Sequence, residues 1–265
     1  MLERLYRTIE LPLVSVLGDM ELAGVRINVP YLANLAKEME AAAAEDYATM
    51  LDTVGHELNT RSYPQKARLF YDELRETVRR RTEKHNPSVD KYAMALFENQ
   101  DVVKVIRAHI ETLDMLSDFV YKLPKMVLDD GRIHGSFHQA GTREEHGGEH
   151  HGSPATGRLS SSGPNLQQIA TRGRWGKAIR KAFIPAPGCV FVGGDVEQEE
   201  LRIAALLSNC RVLLDIFERG EDPHAAMALR LGLNPGIKKE RDVAKNSNYA
   251  FIYRVGIDKF VAMAA

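Results

Sequence analysis

Two long stretches of the chain carry apolar residues at helical spacing. Between residue 31 and about residue 51 the apolar positions are Leu32, Leu35, Met39, Ala43, Tyr47 and Met50. Between residues 101 and about 127 they are Val103, Ile106, Ile110, Leu113, Leu116 and Val120. Each spacing places these residues on one face, so the pattern predicts two amphipathic helices that form an elongated helical lobe.

The residues before the first stripe also read as a helix. This helix covers residues 1–27 and meets a turn at Gly24, and Asn28 and Pro30 then mark the start of the next helix. No apolar run is long enough to cross a bilayer, and the N-terminus lacks the pattern of a secretory signal. We therefore expect no membrane partner.

The pattern changes after a turn signal at residues 129–131. Residues 132–139 alternate like a strand, and residues 188–195 read as a buried strand that ends at Asp195. The helices predicted after it cover residues 199–208, 211–219, 223–232 and 241–253. Helices followed by strands and then by helices predict an α+β fold that is mostly helical.

Composition excludes some classes of protein and leaves others open. The chain has 265 residues, of which 44% are apolar and 27% charged, and its net charge is −1. No overall basic field therefore attracts nucleic acid, although residues 75–84 and 173–181 are locally basic. Each basic stretch is either a phosphate-binding surface or a solvated helix face. The two cysteines, Cys189 and Cys210, are too few for a disulfide framework, and we expect both to be buried thiols.

A histidine-rich segment at residues 143–154 raises the question of a metal site. His146, His150 and His151 lie in a stretch of flexible composition without a cysteine partner. Metal sites usually rest on a rigid scaffold, so a surface insertion is favoured over a metal site.

The last predicted helix carries an unusual stripe. Arg241, Lys245, Tyr249 and Tyr253 recur at every fourth position and so share one face, with the two cations before the two aromatic residues. This order suits a ligand that is anionic at one end and flat at the other. The competing interpretation is a surface helix whose tyrosines cover the core.

A set of segments in fixed order resembles a known family. The segments are TGRLSSSGPNLQQI (156–169), DVEQEELR (195–202), EDPHAA (221–226) and RDVAKNSNYAFIY (241–253). Together they resemble the polymerase lobe of family A DNA polymerases, the bacterial polymerase I and related phage enzymes. The resemblance implies a fragment of a right-hand polymerase. Its parts are a connector (1–30), a helical thumb (31–128), an incomplete antiparallel palm (129–205) and incomplete fingers (206–265).

The resemblance implies template-directed synthesis of DNA, in which deoxynucleoside triphosphates extend a primer, in a bacterial or phage-infected cytoplasm. Asp195 and the backbone carbonyl of Val196 match the family's ligands for Mg²⁺. Two such ions stabilise the attacking and leaving oxygens of phosphoryl transfer. The alternative for Asp195 is a capping residue before the following helix.

The resemblance also implies which residues contact the incoming nucleotide. Arg241 and Lys245 match cations on the β- and γ-phosphates, and with Asp195 they form the implied catalytic set. His224 matches a triphosphate contact and Tyr249 a sugar and base contact. Glu200 matches the residue that excludes a 2′-hydroxyl. Arg202 matches the arginine that ends the motif, with a structural ion pair as the alternative.

The implied contacts with primer–template DNA lie in two segments. Arg158, Asn165 and Gln167 match residues that touch the minor groove, where every base pair offers hydrogen-bond acceptors. Arg172 is expected to meet phosphate. Tyr253 matches the residue that stacks on the templating base.

The sequence departs from the family pattern at several positions. Val196, Glu197 and Glu199 replace residues that are usually Tyr, Ser and Ile, and Ala250 and Arg254 replace usual glycines.

A larger departure is the absence of a motif. In the family a His-Asp-Glu motif supplies the second metal-binding carboxylate, and no such motif follows residue 195. Only one side-chain ligand for the two Mg²⁺ ions is then present. Three explanations stay open: an incomplete chain, one half of a split polymerase completed by a second polypeptide, or a relic that binds without catalysis. A non-catalytic module that binds primer–template or nucleotide is therefore the alternative function. A helical interaction protein with accidental motifs is a third.

Overall fold

A computed structural model describes residues 2–139 and 157–256. The chain divides into two compact units, one over residues 1–191 and the other over residues 192–265. The histidine-rich segment at 143–154 lies outside the described residues. The predicted division into connector, thumb, palm and fingers stays a prediction.

The first unit begins with a helix that ends at a glycine. This helix comprises α1 (Leu2–Leu5), a π-helical turn (Tyr6–Glu10) and α2 (Leu11–Ala23), and strand β1 (Val25–Ile27) follows it. Gly24 has φ +56°, and a Cβ there would lie 2.7 Å from Cε1 of His134. The predicted turn at Gly24 is confirmed, whereas residues 25–27 form a strand and not the end of the helix.

The two long helices predicted from the apolar stripes are both present. Helix α3 (Val29–Val54) begins where the Asn28 side chain accepts a hydrogen bond from the amide of Tyr31, and Gly55 in the left-handed conformation ends it. The second stripe is divided where the hydrogen-bond pattern changes. It contains α6 (Gln100–Met115), a π-helical turn (Leu116–Val120) and a 3₁₀ turn (Leu123–Met126).

Short helices connect α3 and α6. They are α4 (Tyr63–Ala67), a π-helical turn (Arg68–Glu73) and α5 (Lys91–Met94). Residues 75–84, where a solvated helix face was one reading of the basic stretch, form no helix. Two apolar clusters hold this unit together. One surrounds Leu32 and Met39 and the other surrounds Met50 and Ile106, and all of these side chains are fully buried.

Small antiparallel sheets complete the first unit. The strands after β1 are β2 (Arg132–Ile133), β3 (Ser136–His138), β4 (Ser160–Ser162) and β5 (Phe183–Ile184). One sheet has the order β2-β1-β5 and the other pairs β3 with β4. The predicted strand at 132–139 is therefore divided between two sheets. The unit also contains a 3₁₀ turn (Leu166–Gln168) and helix α7 (Gly176–Arg180).

The predicted buried strand at 188–195 is wrong. Residues 189–196 form no strand, and Val190, Phe191 and Val192 are 79%, 62% and 91% exposed. A strand needs a neighbour to satisfy its backbone groups, and within residues 2–139 and 157–256 no strand pairs with this segment. Cys189 is exposed and Cys210 half-buried, so the prediction of two buried thiols is also wrong.

The second unit contains helices close to the predicted ranges. They are α8 (Glu199–Ser208), α9 (Arg211–Glu218), α10 (Pro223–Arg230) and α11 (Lys238–Ile252). Leu201, Ala205, Ile216, Ala228 and Ala244 are buried among these helices. Helices α10 and α11 pack closely against each other, which brings the EDPHAA segment beside the predicted cation and tyrosine stripe.

Candidate functional site

Helix α11 presents the predicted stripe on a partly exposed face. Arg241, Lys245 and Tyr249 are half-buried, while the small or polar side chains of Ser247 and Asn248 are buried on another face. The helix is thus amphipathic in an unusual sense, because alanine, serine and asparagine form its packed side. The cations remain available to solvent along one side of the helix.

Arg241 is held by an acidic residue at the start of α10. Its Nε and Nη2 atoms donate to Oδ2 of Asp222 at 2.9 and 2.7 Å. The other oxygen of Asp222 accepts the amide of His224 at 2.8 Å and caps α10. Burial alone would raise the pKa of Asp222, but the hydrogen bonds from Arg241 and from the His224 amide outweigh it and lower this pKa. Asp222 therefore stays ionised and fixes the guanidinium group.

His224 lies beneath this pair and is nearly inaccessible. Its side chain is 3% exposed, and its Nδ1 is 3.1 Å from Nδ2 of Asn248. Asn248 donates that hydrogen bond, so Nδ1 of His224 is the acceptor and the proton of the neutral ring lies on Nε2. Burial lowers the pKa of His224, and Arg241 and Lys245 lower it further against the opposing effect of Asp222. The ring is therefore neutral at pH 7.

Tyr249 and Lys245 complete the face beside His224. The ring centroids of His224 and Tyr249 are 5.9 Å apart and the rings are tilted by 45°. Among the described residues, no carboxylate lies within salt-bridge distance of Lys245. This ammonium group is therefore available for an anion, in contrast to Arg241.

Tyr253 and Glu200 are joined at the end of the stripe. The Tyr253 hydroxyl donates to Oε2 of Glu200 at 2.8 Å, which links the end of α11 to the first turn of α8. Tyr253 is 59% exposed, so its ring keeps a free surface. Sequence reasoning assigned these residues to the template base and the sugar, but it did not predict that they touch.

Arg202 makes structural contacts. Its Nε donates to the carbonyl of Glu197 at 3.0 Å, and its guanidinium lies 4.5 Å from the centre of the Phe217 ring. Within residues 2–139 and 157–256, Arg202 forms no ion pair with a carboxylate, so the alternative prediction of an ion pair does not describe its contacts there.

Asp195 and Val196 do not form a metal centre with other residues of the described chain. Asp195 is exposed in a segment without regular structure, and Val196 is 65% exposed. Within residues 2–139 and 157–256, no group of three or more His, Cys, Asp or Glu side chains is arranged to hold a metal ion. Mg²⁺ requires several oxygen ligands in near-octahedral geometry, so these residues alone do not fit a two-ion centre.

The predicted minor-groove residues of the first unit form a compact polar turn. Oδ1 of Asn165 accepts hydrogen bonds from the hydroxyl of Ser161 and the amide of Gln167, at 2.9 and 3.1 Å. Nε2 of Gln167 donates to the carbonyl of Leu159 at 3.3 Å. Among the residues that the structure describes, the side-chain hydrogen bonds of Asn165 use its oxygen, so its amide nitrogen can donate to an external acceptor.

Arg158 and Arg172 flank this turn, and both are exposed. Arg158, Asn165, Gln167 and Arg172 all belong to the first unit, whereas Asp195 and the α11 stripe belong to the second unit.

Two residues that contact the predicted nucleotide-binding side chains were missed by sequence reasoning. Asp222 precedes Pro223, a common start of a helix, and this capping signal could have identified it. Asn248 lies in mid-helix, where a buried polar side chain needs partners, but its partners become evident only from the packing of α10 on α11. None of the helices in the described ranges has the length and the apolar composition that a membrane-spanning helix needs.

Comparison with known proteins identifies a family. A family model described as DNA polymerase family A matches residues 29–263. "DNA polymerase I, thermostable" of Thermus filiformis is 36% identical over 255 residues, and the match covers 94% of this chain and 29% of that protein. DNA polymerase I of Chloroflexus aurantiacus is 35% identical over 268 residues, covering 98% of this chain and 27% of that protein.

A solved structure shares the fold. The POL domain of Pol1 from M. smegmatis, in a complex with DNA primer-template and dNTP, superposes with a TM-score of 0.79 at 29% identity. The match covers 94% of this chain and 43% of that one. The chain thus spans less than a third of the curated relatives' length and less than half of the solved chain.

Proposed function

This chain belongs to DNA polymerase family A, and we propose that it supplies the nucleotide-binding and primer–template-binding part of a template-directed DNA polymerase. The proposed reaction is deoxynucleotidyl transfer to the 3′ end of a primer in the cytoplasm. The order of groups along α11, with His224 and Glu200 beside it, is the observation that carries this proposal.

The two cations of α11 are the proposed triphosphate contacts. Lys245 is free of a carboxylate among the described residues, so an incoming phosphate gains a full charge-assisted hydrogen bond there. Arg241 is already oriented by Asp222 and has further N–H donors for a phosphate oxygen. Charge neutralisation and positioning are the main protein contributions to phosphoryl transfer.

The rest of the nucleotide follows along the same helix. We assign the sugar and base to Tyr249 and the templating base to the exposed ring of Tyr253. The hydrogen bond from Tyr253 holds the Glu200 carboxylate in one position. A carboxylate fixed beneath the sugar supports the proposed exclusion of a 2′-hydroxyl, because a side chain that cannot move aside would clash with it.

The polar turn of the first unit supports contact with the primer–template. Purine N3 and pyrimidine O2 are acceptors in the minor groove of every base pair, so a protein group that contacts them must donate. The free amide nitrogen of Asn165 and the guanidinium of Arg158 are such donors. Arg172 is the proposed phosphate contact.

The metal chemistry of this proposal needs more than the described residues provide. Asp195 and the Val196 carbonyl are the proposed Mg²⁺ ligands of this chain. Waters, the triphosphate oxygens and a further carboxylate from outside the described residues would supply the rest. A second polypeptide that carries the rest of the palm is one source of that carboxylate.

A non-catalytic binding module is the second candidate function. It is favoured by the exposed position of Asp195 and by the lack of a metal-binding cluster in the described part of the chain. Such a module would hold nucleotide or primer–template and catalyse no transfer.

Primer extension distinguishes the two functions. The chain is assayed with a primer–template, dNTPs and Mg²⁺, alone and mixed with a polypeptide that carries the remaining part of a relative's polymerase domain. We expect extension only in the mixture, and we expect Asp195→Ala to abolish it. Asp19→Ala, which changes a carboxylate of the first unit outside the proposed site, is the matched control.

The outcomes separate the alternatives. Extension that persists with Asp195→Ala would contradict the metal assignment. If the mixture binds DNA and nucleotide but extends no primer, the binding module is the correct function.

A further inference from the structure

The segment after Arg172 is attached to the two long helices of the first unit. The backbone amide of Arg174 donates to Oε1 of Glu111 on α6 at 3.1 Å. The Nη1 atom of Arg174 lies 2.9 and 3.0 Å from the two carboxylate oxygens of Asp46 on α3. One residue is thus joined to both helices, through its backbone and through its side chain.

The neighbouring tryptophan closes this arrangement into a network. Nε1 of Trp175 donates to the hydroxyl of Thr112 at 3.1 Å, and Thr112 is fully buried. The Thr112 hydroxyl is also 3.1 Å from Oδ2 of Asp46. The guanidinium of Arg174 lies 5.0 Å from the centre of the Trp175 ring, within the range of a cation–π contact.

Gly173 brings the chain close enough to α6 for these bonds. Its φ of +76° is a left-handed conformation, and a Cβ at this position would lie 2.1 Å from Oε1 of Glu111. Any other residue would both strain the backbone and displace the acceptor of the Arg174 amide. The path of the chain immediately after Arg172 is therefore tightly determined.

We infer that Arg174 is a positioning residue, which, through Asp46 and Glu111, fixes the backbone that presents Arg172 to a primer–template phosphate. This inference rests on the proposed function, since it requires contact of Arg172 with DNA. An exposed arginine on a free loop loses conformational entropy when it binds, and a fixed backbone reduces that loss.

The direction in which one substitution changes DNA binding distinguishes a positioning role from simple electrostatics. Asp46→Asn removes a negative charge, which by Coulomb's law alone leaves DNA binding unchanged or strengthens it. If Asp46 acts through Arg174, the same change weakens binding, because the loop that carries Arg172 is released. Arg174→Lys provides a second variant, since it keeps the charge but loses the planar guanidinium that lies against the Trp175 ring.

The test is binding of the full chain to a labelled primer–template across a series of salt concentrations. We expect Asp46→Asn and Arg174→Lys to weaken binding by about threefold to tenfold, the range of one lost hydrogen bond. We also expect the slope of log K against log salt to become less steep by about one phosphate contact. In an Arg172→Ala background, Asp46→Asn should have no further effect. Asp114→Asn, which alters an exposed ion pair of α6 with Arg61, is the matched control.

Hydrogen exchange at the Arg174 amide provides a readout that needs no DNA. We expect faster exchange of this amide in both variants. Unchanged exchange, or DNA binding as strong as that of the unmodified chain, would overturn the positioning role. A chain that shows normal protection in this loop but binds no primer–template would instead overturn the proposed function.

Discussion

At the scale of single residues, the chemistry of the second unit depends on which groups stay charged. Asp222 is kept ionised and His224 is kept neutral although the two are near neighbours. The ionised Asp222 orients Arg241, and the neutral His224 accepts a hydrogen bond from Asn248. At the proposed nucleotide site, one of the two cations, Arg241, is therefore already held in position.

His224 gives a pH prediction with a definite sign. Its pKa is lowered in the folded chain, so the unfolded chain binds a proton first as the pH falls. The contribution of His224 to the free energy of unfolding of the second unit should therefore be fully present above pH 6.5. It should decrease as the pH falls toward the pKa of the folded state. Denaturant unfolding between pH 7.5 and 5 measures this, and His224→Gln should flatten the profile.

His134 in the first unit is the internal comparison. Hydrogen bonds to the Glu21 carbonyl and to Asp130 raise its pKa, so its contribution is present below pH 6.5 and is lost as the pH rises. NMR titration should give a pKa below the ordinary value of 6.5 for His224 and above it for His134. A His224 resonance that titrates above pH 6.5 would contradict the buried, neutral assignment.

The Tyr253–Glu200 bond leads to a prediction about sugar selection. Tyr253→Phe keeps the aromatic ring but removes the donor that fixes Glu200. We expect the ratio of deoxynucleotide to ribonucleotide affinity to fall severalfold, since a hydrogen bond to a charged group contributes about 1.5–3 kcal/mol. Deoxynucleotide affinity itself should change little, because the lost bond lies within the protein. Equilibrium titration with both nucleotides measures the ratio.

A matched tyrosine in the first unit controls for this change. The Tyr121 hydroxyl donates to Glu40 at 2.6 Å, so Tyr121→Phe removes a similar bond outside the nucleotide site. If Tyr121→Phe and Tyr253→Phe change the ratio equally, the assignment of Glu200 to the sugar is incorrect.

At the scale of elements, the helices of the second unit end in a common way. In each, an amide beyond the helix bonds back to a carbonyl of the last turn: Cys210 to Ala205, Glu221 to Ile216, Leu233 to Ala228 and Val255 to Ala250. The residue before each of these amides has a positive φ: Asn209, Gly220, Gly232 and Arg254. Glycine and asparagine tolerate this conformation, whereas arginine is strained there.

Arg254→Gly should therefore stabilise the end of α11. Arg254 has φ +50°, and the family resemblance implies a glycine at this position. We expect a gain of about 1 kcal/mol from relief of the left-handed strain, reduced by the greater freedom of glycine in the unfolded chain. Hydrogen exchange of the Arg254 and Val255 amides measures the effect at the helix end.

The opposite substitution is the control for this prediction. Gly232→Ala introduces a Cβ at the equivalent position of α10, where φ is +72°, and should destabilise that helix end. If Arg254→Gly accelerates exchange, the arginine makes a contact that outweighs its strain.

At the scale of elements, the sequence predicted helices correctly where it carried apolar residues at helical spacing or a capping residue. The apolar stripes identified α3 and α6. Gly24 correctly marked the turn after α2, and Asn28 correctly marked the cap of α3. The strand at 188–195 failed because strand formation depends on a partner that local sequence does not reveal. The Asp222–Arg241 and Tyr253–Glu200 pairs are tertiary contacts and leave no local pattern.

At the scale of the whole molecule, the chain belongs to DNA polymerase family A, whereas its described residues include no group of side chains arranged to hold a metal ion. It is homologous to polymerase I over nearly its whole length, yet it spans less than a third of those relatives. The first unit offers donors suited to the minor groove, and the second unit offers cations and aromatic rings suited to a nucleotide. Binding is thus better supported by the described residues than catalysis is.

The most direct test of this account is equilibrium binding of a deoxynucleoside triphosphate to the unmodified chain, to Lys245→Ala and to Lys239→Ala. Lys239 is an exposed lysine on another face of the same helix, so its removal changes the net charge equally. We expect Lys245→Ala to weaken binding by about tenfold or more, the effect of one charge-assisted hydrogen bond, and Lys239→Ala to change it little. Equal losses in the two variants, or no binding by the unmodified chain, would contradict the nucleotide site on α11.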